Sequence, residues 1–399
     1  MRDQINQFLN RKDPVLRHGT LGLLCNQTSF DFQDRQYLYQ ALSQRGVLKR
    51  LFLPEHGLFA ELQDQIPLTS TDVYHRLRID AEVVSLYGDS EASLVAAASH
   101  LEDLDALVID IQDVGSRYYT FATTVSYIFD AMARAGIDMD VYIIDRPNPC
   151  GRQVEGSILP PEYASFVGKP GLPHKHGLTI AELCQFYKTE CKGEFTLHPI
   201  KLPDNAFIER PDQHQSFWII PPSPNMPGPL TPLVYTGQCL LEGTNLNEGR
   251  GTTRPFEIFG APWMGWIWER DDHPHVPGAC LRPLRYIPTF HKHAGEVCDG
   301  FQIHLTGEPY HSLAHSLQII RHIRDHSGSD FQWRSEAYEF RDDRPAIDLL
   351  AGDPVLLNYL HGDADLDIVK RVFRKDEARW ISRADEFRIY SKDLFSVNF

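Results

Sequence analysis

Short apolar runs recur along the first 150 residues, at Leu21–Cys25, Leu48–Leu53, 82–87, 106–111 and 141–144. Each is rich in Leu, Val and Ile and lacks the alternation of a half-exposed strand. Strands covered on both faces read this way, because neither face meets water. Helical patterns fall between them, at 34–44 and 119–134. Strand alternating with helix predicts a doubly wound α/β domain on a parallel sheet over residues 1–150. From 151 to 232 the chain is richer in Pro and Gly and reads as crossover and loop-rich structure. The stretch 221–229, PPSPNMPGP, can be neither helix nor central strand, since proline has no amide proton to give either. It is expected to be a loop packed near a cleft. Residues 233–399 mix a strand at 301–305 with helices at 312–324 and 366–390, a second and smaller unit.

Polar residues gather where the strands end. Asn26 to Ser29 follow the first, Pro54-Glu55-His56-Gly57 the second, Gln112 to Tyr119 the fourth and Asp145 to Pro149 the fifth. In open parallel sheets that edge is where ligands bind. No GxGxxG follows the first strand, so a dinucleotide is not indicated, and neither a P-loop nor a GxSxG elbow occurs.

Glu55 is the first candidate for chemistry. Gly57 permits a sharp turn that leaves the carboxylate at the mouth of the sheet, where partial shielding would raise its pKa and let it donate a proton. The plainer reading is a helix cap or an arginine's partner. In DIQDVGSRYYT, Asp110 lies in an apolar strand and needs a partner, with Arg117 the nearest in sequence. Asp113 and Arg117 divide evenly between loop structure and site. In LEGTNLNEGRGTTRP, three glycines separate Glu242, Asn245, Glu248, Arg250 and Arg254. Either glutamate could be a second carboxylate, and either arginine could grip an anionic substituent bidentately. The alternative is a solvated loop.

Composition narrows the partners. With 39 Lys and Arg against 54 Asp and Glu, the net charge is −15, which disfavours nucleic acid and anionic lipid. The opening MRDQINQFLNRKD has no apolar signal region, and no run of about 18 apolar residues predicts a membrane helix. Seven scattered cysteines without a CxxC pair suit a reduced, cytoplasmic chain. His174 with His176, and His291 with His293, form HxH pairs, but no nearby carboxylate pattern completes a metal site. Neither metal nor cofactor is expected.

Several strings occur together in fixed order: PEHG after a strand, DIQDVGSRYYTF, DRPNP, VEG followed by SFVG, HGLTIAEL, PPSPNMP and CLLEGTNLNEGRGTTRPFEIFGAPW. In this the chain resembles the exo-β-N-acetylmuramidases of the NamZ/YbbC type, long catalogued as a domain of unknown function, from about residue 21 to 307. The resemblance implies a Rossmann-like domain, a smaller α/β domain and a cleft between them. It implies release of terminal N-acetylmuramic acid (MurNAc) from MurNAc-GlcNAc fragments; the acidic charge and the lack of a long apolar run leave no nucleic acid and no membrane as expected partner. Glu55 would be the catalytic acid. Asn26, His56, Asp113, Arg117 and Tyr118 would line the pocket, and Glu242, Glu248 and Arg250 would come from the other domain. Glu248 is the expected second carboxylate, ahead of Glu242 and Asp113. The lactyl anion of MurNAc would meet Arg250, Arg254 or Arg117. Retention, inversion and assistance by the substrate's acetamido group all stay open.

Three departures stand out. Leu58-Phe59-Ala60-Glu61 replaces the usual Phe-Arg-Gly after PEHG, Cys150-Gly151 replaces a glycine pair, and an export signal common among relatives is missing. The last implies cytoplasmic recycling of cell-wall fragments. The rival readings are a non-catalytic sugar-binding protein on the same scaffold, a metal hydrolase using His174 and His176, and a purely structural protein. Beyond residue 307 the chain either completes the cleft or mediates homodimer contacts.

Overall fold

The structure is a computed structural model, and it describes residues 2–69, 74, 77, 79–202, 220–270 and 273–390. Residues 203–219, part of the stretch 151–232 expected to be loop-rich, lie outside them. Six strands form one parallel sheet: β1 (Leu21–Cys25), β2 (Leu48–Leu53), β3 (Glu82–Ser85), β4 (Ala106–Asp110), β5 (Asp140–Ile144) and β6 (Thr196–Ile200). Their order is β3-β2-β1-β4-β5-β6. That is the Rossmann order, and it reverses between β1 and β4, where a crevice opens at the carboxyl ends of the strands. The sixth strand comes from beyond residue 150, inside the stretch read as loops.

The apolar runs lack alternation because both faces of the sheet are covered. Leu24, Phe52, Leu107, Ile109, Val141 and Ile143 enter one core, beneath α3 (Thr120–Ala135) and α4 (Ile180–Cys191). Their neighbours Leu23, Leu51, Leu53, Val108, Tyr142 and Ile144 enter another, with α1 (Arg2–Leu9) and α2 (Leu38–Gln44). Helix α4 starts on a capping box, Thr179 with Glu182, which accounts for HGLTIAEL as a helix entry. The helix expected over 34–44 begins only at Leu38. Before it, Phe30–Asp31 pairs with Gln36–Tyr37 in a hairpin, where Phe30 packs edge-on to Tyr37 at 4.9 Å and Arg35 turns at φ 54°.

The second domain has a three-stranded antiparallel sheet of β7 (Ile258–Ala261), β8 (Ala279–Tyr286) and β9 (Cys298–Leu305), in the order β8-β9-β7. The expected strand 301–305 is the end of β9. Strand β8 escaped notice because Arg282, Pro283 and Arg285 interrupt it, a composition tolerated at a sheet edge. Helices α5 (Thr231–Gln238), α6 (Ser312–Ser327), α7 (Ala346–Ala351), α8 (Pro354–His361) and α9 (Leu366–Ala384) complete the domain. Helix α9 ends six residues before the expected 390. It buries Val369, Phe373, Trp380 and Ala384 along one face. That face returns to the first domain: Trp380 Nε1 donates to the His176 carbonyl at 2.8 Å, and Glu377 accepts from the Gly156 amide at 2.8 Å.

Candidate active site

A recess of about 410 Å³ lies at the carboxyl edge of the parallel sheet and is closed by the second domain. Glu55 and His56 enter from the loop after β2, Tyr118 to Thr120 from the loop after β4, and Ser223, Asn225 and Met226 from the proline-rich stretch. The second domain adds Tyr235, Glu242, Arg250, Phe256, Tyr338 and Glu339. The chain beyond residue 307 therefore helps to complete the cleft.

The PEHG turn aims Glu55. His56 has φ 74° and Gly57 φ 82°, two left-handed residues in succession that reverse the chain directly after the strand. A side chain at Gly57 would meet the Tyr74 hydroxyl at 2.7 Å. Glu55 is 3 % exposed. Its carboxylate accepts from the Thr120 hydroxyl at 2.7 Å and from the Gln65 amide at 3.2 Å. Thr120 is the first residue of α3, so Glu55 also sits at the electropositive end of a 16-residue helix. The His56 Nδ1 bonds the Leu62 carbonyl at 3.0 Å. Of the residues that depart from the family, Glu61 accepts from the Phe59 amide at 2.8 Å and the Tyr74 hydroxyl at 2.5 Å, and pins the altered loop.

Two carboxylates that the sequence reading missed face Glu55. Oxygens of Glu55, Asp64 and Glu339 all lie within 4.8 Å of one another. Asp64 pairs with Arg250 at 3.0 Å, and Glu339 accepts from the Tyr87 hydroxyl at 2.9 Å. Burial, with Glu55 and Asp64 nearby, lifts the Glu339 carboxyl well above the ordinary carboxylate range. Each of the three thus already holds a hydrogen bond or an ion pair from the protein. Asp64 and Glu339 stand nine residues from Glu55 and in another domain respectively, with no motif around either; for Glu339 the two consecutive non-glycine left-handed residues (φ 47° and 64°) are visible only in three dimensions.

The expected pocket residues divide. Glu55, His56, Tyr118, Glu242 and Arg250 line the recess. Tyr118 is 1 % exposed, and its hydroxyl has no hydrogen-bond partner among the described residues. Arg250 holds Glu242 at 2.8 Å, Glu248 at 3.0 Å and Asp64 at 3.0 Å. Glu242 also accepts from Tyr338 at 2.5 Å, and burial lifts its carboxyl despite Arg250. Glu248 lies behind Arg250 and outside the lining. Burial opposes its charge, but Lys292 at 2.9 Å, His291 at 3.1 Å and Arg250 outweigh that and hold it well below the ordinary range.

Five further candidates, Asp113, Asn26, Asn245, Arg254 and Arg117, stand apart from the lining. Asp113 accepts from the Gly115 amide at 2.6 Å and faces His176 Nε2 at 3.3 Å, which fixes its loop. Asn26 donates to the Pro222 carbonyl at 3.2 Å and so secures the proline-rich wall. Asn245 ties its loop to the Asp330 carbonyl at 2.8 Å. Arg254 pairs with Glu257 at 3.1 Å with its side chain 57 % exposed. Arg117 is not the partner of Asp110, which is held instead by Arg146 at 2.5 Å and Ser29 at 2.6 Å. Arg117 donates to the carbonyls of Ser157, Leu350 and Ala351 at 3.0, 3.0 and 3.1 Å, and burial lowers its pKa to about 10. His174 and His176 are likewise spent on Arg117 and Asp113.

Comparison with known proteins agrees with this architecture. Residues 21–229 match the family model described as exo-beta-N-acetylmuramidase NamZ, N-terminal, and residues 233–390 its C-terminal counterpart. The chain is 34% identical over 348 residues to the peptidoglycan beta-N-acetylmuramidase NamZ of Bacillus subtilis (strain 168), covering 86% of this chain and 80% of that one. Two crystal structures of DUF1343 family proteins from Bacteroides fragilis NCTC 9343 share the fold. One has a TM-score of 0.78 at 23% identity over 98% of this chain and 97% of its own, the other 0.68 at 25% over 95% and 96%. On motifs, fold and the match of both its halves, the chain belongs to the NamZ exo-β-N-acetylmuramidase family.

Proposed function

We propose that the protein is a glycoside hydrolase that releases terminal MurNAc from the non-reducing end of peptidoglycan fragments of the MurNAc-GlcNAc type. The observation that carries the reading is Glu55: a buried carboxylate at the carboxyl edge of the sheet, with further carboxylates within 4.8 Å, in a recess shared by two domains. Glycoside hydrolysis needs two carboxyl groups beside the scissile bond, or one with the substrate's acetamido oxygen as the other participant. Glu248 is a poor second carboxylate, because it is spent on Lys292, His291 and Arg250. Asp64 and Glu339 are better placed.

Of the three arginines considered for the lactyl anion, Arg250 borders the recess, and we assign it that role in exchange for Asp64. Tyr118 offers the sugar its hydroxyl, which has no hydrogen-bond partner among the described residues. We also place the enzyme in the cytoplasm, acting on fragments taken up for recycling. Among the described residues no helix is long and apolar enough to cross a membrane. The seven cysteines, all free, suit a reducing compartment. Homodimerisation is not needed by this reading, since one chain supplies both walls of the recess.

The test is release of a chromophore from a MurNAc glycoside and from its GlcNAc equivalent, with and without a chelator. The expected result is turnover of the MurNAc compound alone, unaffected by chelation. Glu55→Gln should reduce it at least about 10²-fold. Binding of MurNAc without turnover of either compound, or of the MurNAc-GlcNAc disaccharide, would replace this reading with a sugar-binding protein on the same scaffold.

A further inference from the structure

We propose that Glu339 is the general acid of this site and that Glu55, to which the sequence assigns the proton, is its ionised partner. The inference rests on the muramidase reading and assigns its roles. Two carboxyl groups at one site divide acid and anion duties according to what surrounds each.

Glu55 is built to accept hydrogen bonds. It accepts a backbone amide from Gln65 and a hydroxyl from Thr120, and it lies at the N-terminus of α3. Each of these turns a positive partial charge toward its oxygens. Glu339 has none of them except a phenol. It rides on a two-residue turn, closed by Tyr338 and Arg341 amides at 2.9 and 3.0 Å, and Arg341 fastens that turn to the Ala164 carbonyl of the first domain at 2.9 Å. Around it Tyr87 packs against Phe340 at 5.4 Å and Phe166 at 5.7 Å.

The charges that face Glu339 are Glu55 and Asp64 from the loop after β2 and Glu242 from the turn after α5, all negative or acidic. Arg250, the nearby cation, is bonded to Asp64, Glu242 and Glu248. Among the described residues no cation pairs with Glu339. Burial and like charge therefore both hold a proton on it, as its raised pKa reflects.

In the first step the Glu339 carboxyl proton passes to the glycosidic oxygen as the C1–O bond breaks, and the bonding pair leaves with that oxygen. C1 is closed from the opposite face, by a Glu55 oxygen or by the acetamido oxygen that Glu55 orients. Water then adds to C1 from the side the leaving group vacated and gives its proton back to Glu339, while the bond from C1 to the Glu55 or acetamido oxygen breaks and its pair returns to that oxygen. Both routes return the starting anomer. The spacing supports this: 4.8 Å or less leaves no room for the water that inverting pairs hold between carboxyls about 6.5–9.5 Å apart.

The experiment compares Glu339→Gln and Glu55→Gln on two substrates, MurNAc-GlcNAc and the nitrophenyl glycoside of MurNAc, whose leaving group needs no proton. Measured as kcat/KM, which reports only the first bond cleavage, Glu339→Gln should lose about 10²–10⁴-fold on the disaccharide, keep within tenfold on the nitrophenyl compound, and lose the basic limb of its pH–rate profile. Glu55→Gln should fail on both. In parallel, infrared titration of the wild type should show a protonated carboxyl at neutral pH that Glu339→Gln lacks, a readout independent of turnover. Equal loss by Glu339→Gln on both substrates, unchanged rates on both, an inverted first product by NMR, or no such infrared band would overturn the assignment. If Glu339→Gln does not fold, Glu339→Asp takes its place in the same comparison. Wild-type protein that cleaves neither substrate would instead remove the muramidase reading itself.

Discussion

Residues of one type do unlike work here, and burial with partners decides which. Arg250 and Arg254 sit four positions apart in one glycine-rich loop. The first is buried against three carboxylates, the second pairs with Glu257 in solvent. Arg250→Met should cost about 3–5 kcal/mol, since it strands Glu242, Glu248 and Asp64 with a single partner fewer each in a dry setting. Arg254→Ala should stay within about 0.5 kcal/mol, as exposed pairs contribute little. Urea denaturation of both variants checks the contrast; equal losses would refute it. The motif LEGTNLNEGRGTTRP was legible as a functional loop, and five of its charged or amide side chains were singled out. Their ranking was not legible, because sequence gives no depth. Glu248 is the clearest case: a glutamate beside a glycine reads as available, yet Lys292 and His291 approach it from a loop more than forty residues on.

At the scale of elements, the apolar runs predicted β1 to β5; β1, β2, β4 and β5 leave a continuous trace because they are covered on both faces, whereas β3, read the same way, is an edge strand with Glu82 exposed. Strand β8 leaves none, for its register is held by β9 and not by its own composition. Helix α9 is another element whose role its own sequence hides. It reads as a charged helix, but its acidic side chains dock the first domain, partly through His311, which bonds Glu377 at 3.0 Å and faces Glu155 at 3.3 Å. Burial opposes the charge on His311; Glu155 and Glu377 outweigh it and raise its pKa to about 9. A folded pKa above the ordinary value of about 6.5 stabilises the fold fully below that pH, and the gain fades as pH rises through 9. With about a third of the ring's surface in water, the effect should be about 1–2 kcal/mol. His311→Asn should remove the decline in thermal stability between pH 6.5 and 9; an unchanged decline would assign it elsewhere.

Across the whole molecule, the two domains are joined by buried polar contacts as well as by the recess. Arg117 is the centre of that seam, reaching from the loop after β4 to the last carbonyls of α7, which are oriented to attract a cation. Arg117→Met should destabilise the protein by at least about 3 kcal/mol and split a single thermal transition into two, because three buried carbonyls lose their donor. Calorimetry decides: one sharp transition in the variant would mean that the domains are coupled by other contacts.

What the sequence by itself determined is the scaffold and the edge that carries the site. Buried strands need apolar runs, and polar residues at their carboxyl ends have nowhere to go but the crevice, so PEHG and DIQDVGSRYYT could be placed before any coordinates. What only the tertiary structure decided is which charges meet. Asp110 takes Arg146 and not Arg117, Glu248 is spent on structure, and Glu339 arrives beside Glu55 from 284 positions along the chain. Electrostatic partnership acts over a few ångströms of space, and sequence separation carries no record of that distance.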